Sequence, residues 1–167
     1  FNVLLSGAVN ATIADGNGLA TITDNDTPTT AVSSPTVGEG GFAVFTVSLS
    51  NASTTAVTFN PTLVSGSATV GTDTGATAAL EVSSDGGTSW TPATSATIAA
   101  GQTSVLVRTV ITDDPLDEAL ESFTLTATKT AGSTTNASAF GTGSITWMSG
   151  SSSSLANISQ WGSATGW

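Results

Sequence analysis

The segment FAVFTVSLS, residues 42–50, decides the fold because apolar and polar residues alternate along it. Ala43, Phe45, Val47 and Leu49 form the more apolar set, and the residues between them include Thr and Ser. A repeat of two residues is typical of a β-strand with one buried face. The segment therefore predicts a strand in a sheet that covers a core.

Further segments share this pattern and are rich in β-branched and aromatic residues, which favour strands. They are AVTFNPTLV (56–64), TSVLVRTVI (103–111) and ESFTLTATK (121–129). In LEVSSDGGTSWTPA (80–93), the Asp85-Gly86-Gly87 turn between two short apolar runs predicts a hairpin. Short strands at this spacing, with hardly any helical period, predict an all-β antiparallel sandwich.

Composition excludes several classes of function. The 167 residues carry a net charge of −10 and include no His, Cys or Tyr. Without these side chains the usual general bases and activated nucleophiles are missing, so we expect no enzyme. Binding of nucleic acid needs clustered basic residues, but Arg108 and Lys129 are the only two. No apolar run is long enough to insert into a membrane, and cations are the expected partners.

The stretch ITDDPLDEALES (111–122) gathers acidic residues with no base beside them. One interpretation is a short helix with Asp114 as N-cap and Pro115 in its first turn. The other is a cation site, because adjacent carboxylates repel unless a cation or proton intervenes. Calcium takes about six to eight oxygen ligands and needs neither His nor Cys, which matches this composition.

Several motifs in order resemble the Calx-beta domain, a repeat found in large bacterial surface adhesins and fibre proteins. They are TITDND (21–26), GEGGFAVFTVSLS (38–50), SGSATVGTDTG (65–75), AAGQTSVLVRTVITDDPLDEALESFTLTAT (99–128) and FGTGSIT (140–146). The resemblance implies an immunoglobulin-like Greek-key β-sandwich of about seven strands. It also implies calcium held by loops at one pole.

The resemblance further implies which side chains hold the metal. The positions that match the family's acidic ligands are Glu39, Asp73, Asp113, Asp114 and Glu118. Asp24 and Asp26 match the acids that close a unit, so we expect them to serve the pole of the preceding unit or its junction with this one. The closing acids do not recur after this unit, where Trp147 and Met148 stand instead.

An internal repeat divides the chain. FNVLLSGAVNATIADGNGLATIT (1–23) resembles FTLTATKTAGSTTNASAFGTGSIT (123–146). We therefore expect residues 1–26 to be the last strand pair of a preceding or strand-exchanged unit. Residues 27–147 then form one complete sandwich, and residues 148–167 form a Ser-rich connector and an apolar tail. The hairpin either completes sheets of neighbouring copies or belongs to an adjoining repeat of a longer protein, and both readings stay open here.

These observations predict an extracellular or cell-surface structural and adhesive module. Its calcium-rigidified sandwich would stack or exchange strands into a stalk or filament, with neighbouring repeats or copies of itself as partners. The alternative is a calcium-sensing or carbohydrate-binding accessory module of a secreted protein. For a sugar, Trp90 is the one aromatic residue placed to stack on the ligand.

Overall fold

The structure is a computed structural model that describes residues 1–22, 26–114 and 119–147. Its only helical element within these ranges is a 3-10 turn, Thr77–Ala79. None of the described residues forms a helix with the length and apolar character needed to cross a membrane. The short helix considered for the acidic stretch falls on residues 115–118, and the tail on 148–167; both lie outside the described residues.

An isolated hairpin comes first in the chain. Strands β1 (Asn2–Leu4) and β2 (Asn17–Leu19) pair antiparallel and form a two-stranded sheet of their own. Their residues are exposed.

Two five-stranded sheets follow and form the sandwich. The first sheet contains, in spatial order, β3 (Thr30–Val32), β5 (Phe42–Leu49), β10 (Ser104–Val110), β7 (Glu81–Ser83) and β8 (Thr91–Pro92). The second contains β4 (Thr36–Gly38), β12 (Ser138–Thr146), β11 (Glu121–Ala131), β6 (Val57–Ser65) and β9 (Ala96–Ile98). All strand pairs are antiparallel except β4 with β12, which is parallel.

The predicted all-β sandwich is confirmed, although its sheets contain more strand segments than seven. The first strand is split, because β3 pairs in one sheet and β4 in the other on either side of Pro35. Proline has no N–H for a strand ladder, so the chain changes sheets there. Residues 77–98 add the other extra strands, because β7 precedes the Asp85-Gly86-Gly87 turn and β8 and β9 follow it. The unit boundaries at residues 26 and 147 stay predictions.

The apolar residues that alternate along the sequence are buried between the two sheets. The apolar set of β5 is buried, and β6, β10 and β11 each turn a similar set inward. Phe45 of the first sheet and Phe123 of the second meet edge to face, with ring centroids 5.7 Å apart. Gly143 makes room for this pair, since a Cβ there would lie 2.6 Å from Cζ of Phe123 and 3.0 Å from Cζ of Phe45.

We therefore expect Gly143→Ala to lower the free energy of unfolding by about 1–3 kcal/mol, the usual cost of an overpacked core. Urea unfolding measures the change. Gly18→Ala is a matched control on β2, because a Cβ there meets only the carbonyl oxygen of Val3, at 3.8 Å. An Ala at position 143 that leaves the urea midpoint unchanged would contradict this account of the core.

Candidate functional site

Three loops that are far apart in sequence meet at one end of the sandwich. They are the turn between β4 and β5, the loop of residues 66–74, and the segment 111–114 that follows β10. The amide of Ile111 donates to the carbonyl of Gly41 at 2.9 Å, and the amide of Thr112 donates to the carbonyl of Asp73 at 2.9 Å. Backbone hydrogen bonds thus join the turn before β5 and the loop of residues 66–74 to the start of the acidic stretch. We call this end the acidic pole.

The loop of residues 66–74 is also tied to the start of β11. The amide of Ala68 donates to the carbonyl of Ser122 at 2.9 Å, and the amide of Ser122 donates to Oγ of Ser67 at 2.9 Å. The hydroxyl of Thr112 donates to the carbonyl of Thr72 at 2.5 Å. This loop is therefore held on both sides of the acidic stretch.

The turn that carries Glu39 packs directly against Asp113. Gly40 has a φ of +72°, and a Cβ built there would lie 3.4 Å from Cβ and 3.6 Å from Cγ of Asp113. A side chain at position 40 would be strained by the backbone and would crowd the aspartate. Glu39 itself is half-buried, and its amide donates to the carbonyl of Thr146 at 3.3 Å. The structure therefore brings the loops of Glu39, Asp73 and Asp113 together at one pole.

Asp73 turns its carboxylate back onto its own loop. Its Oδ2 accepts the amide of Thr69 at 2.6 Å, and its own amide donates to the carbonyl of Thr69 at 2.9 Å. Within the described ranges, no group of three or more acidic side chains is arranged to hold a metal ion. Glu118 and Asp24 fall outside those ranges. The ligand assignments, and calcium itself, stay predictions.

The chemistry of the donor set fits calcium, although the acidic side chains that the structure describes do not surround a common point. All three loops offer carboxylate and carbonyl oxygens, and the chain has no His or Cys that would favour a softer metal. Glu39, Asp113 and Asp114 would supply charge at the pole. Asp73 would join them through Oδ1, since only its Oδ2 accepts the amide of Thr69.

Asp26 lies at the opposite end of the sandwich. The side-chain amide of Asn51, just after β5, donates to the carbonyl of Asp26 at 3.3 Å. Gly40 stands just before the other end of β5, whose 8 residues span roughly 25 Å at about 3.3 Å per residue. Asp26 instead borders a cleft of about 280 Å³ with Pro28, Thr54 and Ser133. Asp26 and Asp113 therefore lie at opposite ends of the sandwich, and the assignment of Asp26 to the pole of an adjoining unit stays a prediction.

A cationic stack on the outer face of the first sheet was not anticipated from the sequence. The guanidinium carbon of Arg108 lies 4.1 Å from the ring centre of Phe42 and 4.2 Å from that of Trp90. Arg108 also pairs with Glu81, Nε to Oε2, at 2.7 Å. Its alternating position on β10 pointed outward, but only the register with β7 reveals the partners.

This stack weakens the sugar-binding alternative. One face of the Trp90 ring lies on Arg108, and its indole N–H donates to the carbonyl of Gly87 at 3.0 Å. The side chain is half-buried. Trp90 therefore fastens the inserted hairpin to the sheet, and Arg108 covers one face of its ring.

Asp85 organises the turn of the same hairpin. Its carboxylate accepts the Ser89 hydroxyl at 2.5 Å, the Ser89 amide at 3.0 Å and the Ser83 hydroxyl at 2.7 Å. These hydrogen bonds, those from Ser89 first, hold the pKa of Asp85 well below its ordinary value.

A lowered pKa in the folded state means that the ionised carboxylate stabilises the fold above the ordinary aspartate pKa, about 3.9. That contribution is lost as the pH falls below this value. We expect Asp85→Asn to lower the urea midpoint at pH 7, and we expect the difference from the wild type to shrink at pH 2.5. Ser84→Ala, an exposed neighbour in the turn, is the control. A difference that stays constant with pH would show that the carboxylate charge has no role.

No protein-family model matches the chain, and no curated protein matches it. Solved structures that match include CBD12 from CALX1.2, at 16% identity and a TM-score of 0.49, covering 70% of this chain and 45% of that one. The apo-form Calx CBD1 domain matches at 15% identity and a TM-score of 0.49, covering 72% of this chain and 98% of that one.

A third match is the cohesin of ScaC in complex with the ScaB dockerin from Acetivibrio cellulolyticus, at 12% identity and a TM-score of 0.38. It covers 72% of this chain and 99% of the cohesin. This chain spans less than half the length of the CBD12 structure. Calx domains, the family that the sequence resembles, are thus among the solved structures similar to this chain, and the likeness concerns the fold alone.

Proposed function

We propose that this chain is a non-catalytic structural module of an extracellular protein, and that calcium bound at the acidic pole rigidifies its sandwich. Glu39, Asp73, Asp113 and Asp114, with Glu118 of the same stretch, would provide the oxygens. Asp24 and Asp26 would serve the pole of an adjoining unit. Neighbouring repeats or copies of the same chain are the proposed partners in a stalk or filament.

One observation carries the metal proposal. Three separate loops, each with at least one acidic residue, are joined by backbone hydrogen bonds, and Gly40 packs on Asp113. The two basic side chains of the sequence have other partners. Arg108 is paired with Glu81, and Lys129 donates to the carbonyl of Thr134 at 3.2 Å. A divalent cation would relieve the mutual repulsion of the acids, and its binding free energy would add to that of the fold.

The course of the chain supports stacking end to end. Asn51, which contacts Asp26, and Asn136, whose side chain binds the backbone of Thr30, lie at one end of the sandwich. Thr146 lies at the other, against Glu39. The chain therefore enters the sandwich at one end and leaves it at the acidic pole. A module with this course continues an array along its own long axis.

Extracellular calcium sites commonly bind with dissociation constants of about 10⁻⁴–10⁻³ M. At a calcium concentration of roughly 10 mM, such affinity adds about 1.4–2.7 kcal/mol to the free energy of unfolding. We expect Tm to rise by roughly 5–10 °C over that in chelator. Thermal unfolding followed by circular dichroism measures the shift.

The double variant Asp113→Asn with Asp114→Asn should lose the calcium-dependent rise in Tm. Asp26→Asn, at the opposite end, should keep it and serves as the matched control. Equal calcium responses in the two variants, or no response of the wild type at 10 mM, would reject calcium at the acidic pole. A large calcium-induced change in the far-UV spectrum would favour a sensor over a structural module.

A further inference from the structure

The N-terminal hairpin repeats the register of the hairpin that closes the sandwich. Aligning the two copies of the repeat on Phe1 with Phe123 and on Ile22 with Ile145 predicts which residues should pair. The observed pairs are Asn2↔Leu19, Val3↔Gly18 and Leu4↔Asn17 in β1–β2, and Thr124↔Thr142, Leu125↔Gly141 and Thr126↔Phe140 in β11–β12. Each pair of one hairpin falls on the aligned pair of the other, so the hairpins are equivalent strand pairs.

The equivalent residues differ in burial. Phe123, Leu125 and Ile145 face the core and are 1%, 0% and 3% exposed. Their counterparts Phe1, Val3 and Ile22 are 69%, 50% and 83% exposed. The first hairpin therefore has the inner face of a closing hairpin without a core beneath it, and a lone hairpin of this kind is marginal in water.

Gly18 on β2 indicates that another segment packs against this strand. At the equivalent Gly141, a Cβ would lie 2.0 Å from the carbonyl oxygen of Ser33, because the segment between β3 and β4 crosses there. Gly18 has no such neighbour in its own hairpin, where a Cβ would meet only Val3 O at 3.8 Å. A crossing segment like that at Ser33, packed on β2, would account for the glycine.

In the sandwich that the described residues form, the position of the closing strand pair is already filled. Strand β11 pairs with β6 on one side and β12 on the other, and the end of β12 pairs with β4. A second copy of the chain has the same place filled by its own β11 and β12. The partner must therefore be a sandwich that lacks this strand pair.

We infer that residues 1–22 are the closing strand pair of a second immunoglobulin-like sandwich, whose own strands stop after the equivalent of β10. The partner recognises the inner face through its core, and its edge strands, equivalent to β6 and β4, add main-chain hydrogen bonds. Gly18 admits its crossing segment. The inference rests on the proposed function only in treating the chain as one module of an array, because calcium has no part in the fit.

A chimera tests whether the first hairpin can close a sandwich. In the full chain, residues 123–146 are replaced by the sequence of residues 1–23, and all measurements are made in chelator so that failure of the calcium proposal has no effect. Because Ala20 stands where Gly143 leaves room for Phe123, a second chimera carries Ala20→Gly in the grafted copy. We expect at least the second chimera to unfold in one cooperative transition, with the far-UV spectrum of the wild type.

Two matched variants sharpen the test. Gly18→Ala in the grafted copy should abolish cooperative unfolding, whereas the same change in the natural hairpin should leave Tm unchanged. Val3→Asp in the grafted copy should also prevent folding. Failure of both parent chimeras to fold, or folding that tolerates Gly18→Ala, would overturn the inference.

Sedimentation of the wild-type chain tests the kind of partner. We expect a monomer at micromolar concentrations, since in each copy β11 and β12 already fill the position of the closing strand pair. A dimer that dissociates on Val3→Asp would overturn the assignment and would show exchange between copies instead.

Discussion

The contact between Phe45 and Phe123 is the constraint on which the rest of the structure depends. It joins the two sheets at a point where Gly143 leaves room, and it sets how β5 and β11 lie across the core. These strands also carry or border the acidic loops: the turn of Glu39 leads into β5, and Ser122 at the start of β11 holds the loop of Asp73. The packing of these rings therefore helps to position the loops that carry the acidic residues.

The positions of the main strands could be predicted from the alternation of apolar and polar residues alone. The segments 42–50, 56–64, 103–111 and 121–129 became β5, β6, β10 and β11 with shifts of one or two residues, because a buried face imposes a period of two on the sequence. The split of the first strand at Pro35 and the stack on Arg108 could not be read in this way. Both depend on which strands become neighbours in space, and local pattern carries no information on that.

The acidic pole could likewise be predicted only in part. The family resemblance placed acids in three loops, and the hydrogen bonds of Ile111 and Thr112 bring those loops together. Asp73 directs one carboxylate oxygen to the amide of Thr69, a local side-chain-to-backbone hydrogen bond that aspartate commonly makes in turns. The resemblance can therefore assign an acidic residue to a pole, whereas the direction of its oxygens follows from the local backbone.

The parallel pairing of β4 with β12 has a mechanical consequence. The chain enters at one end of the sandwich and leaves at the other, so tension applied through the ends of the module runs along these two strands in opposite directions. Their hydrogen bonds at Thr36, Val37 and Gly38 would then be loaded together in shear, instead of opening one after another like a zipper. The short edge strand β4 would then share the pulling force with β3, which pairs with β5 earlier in the chain.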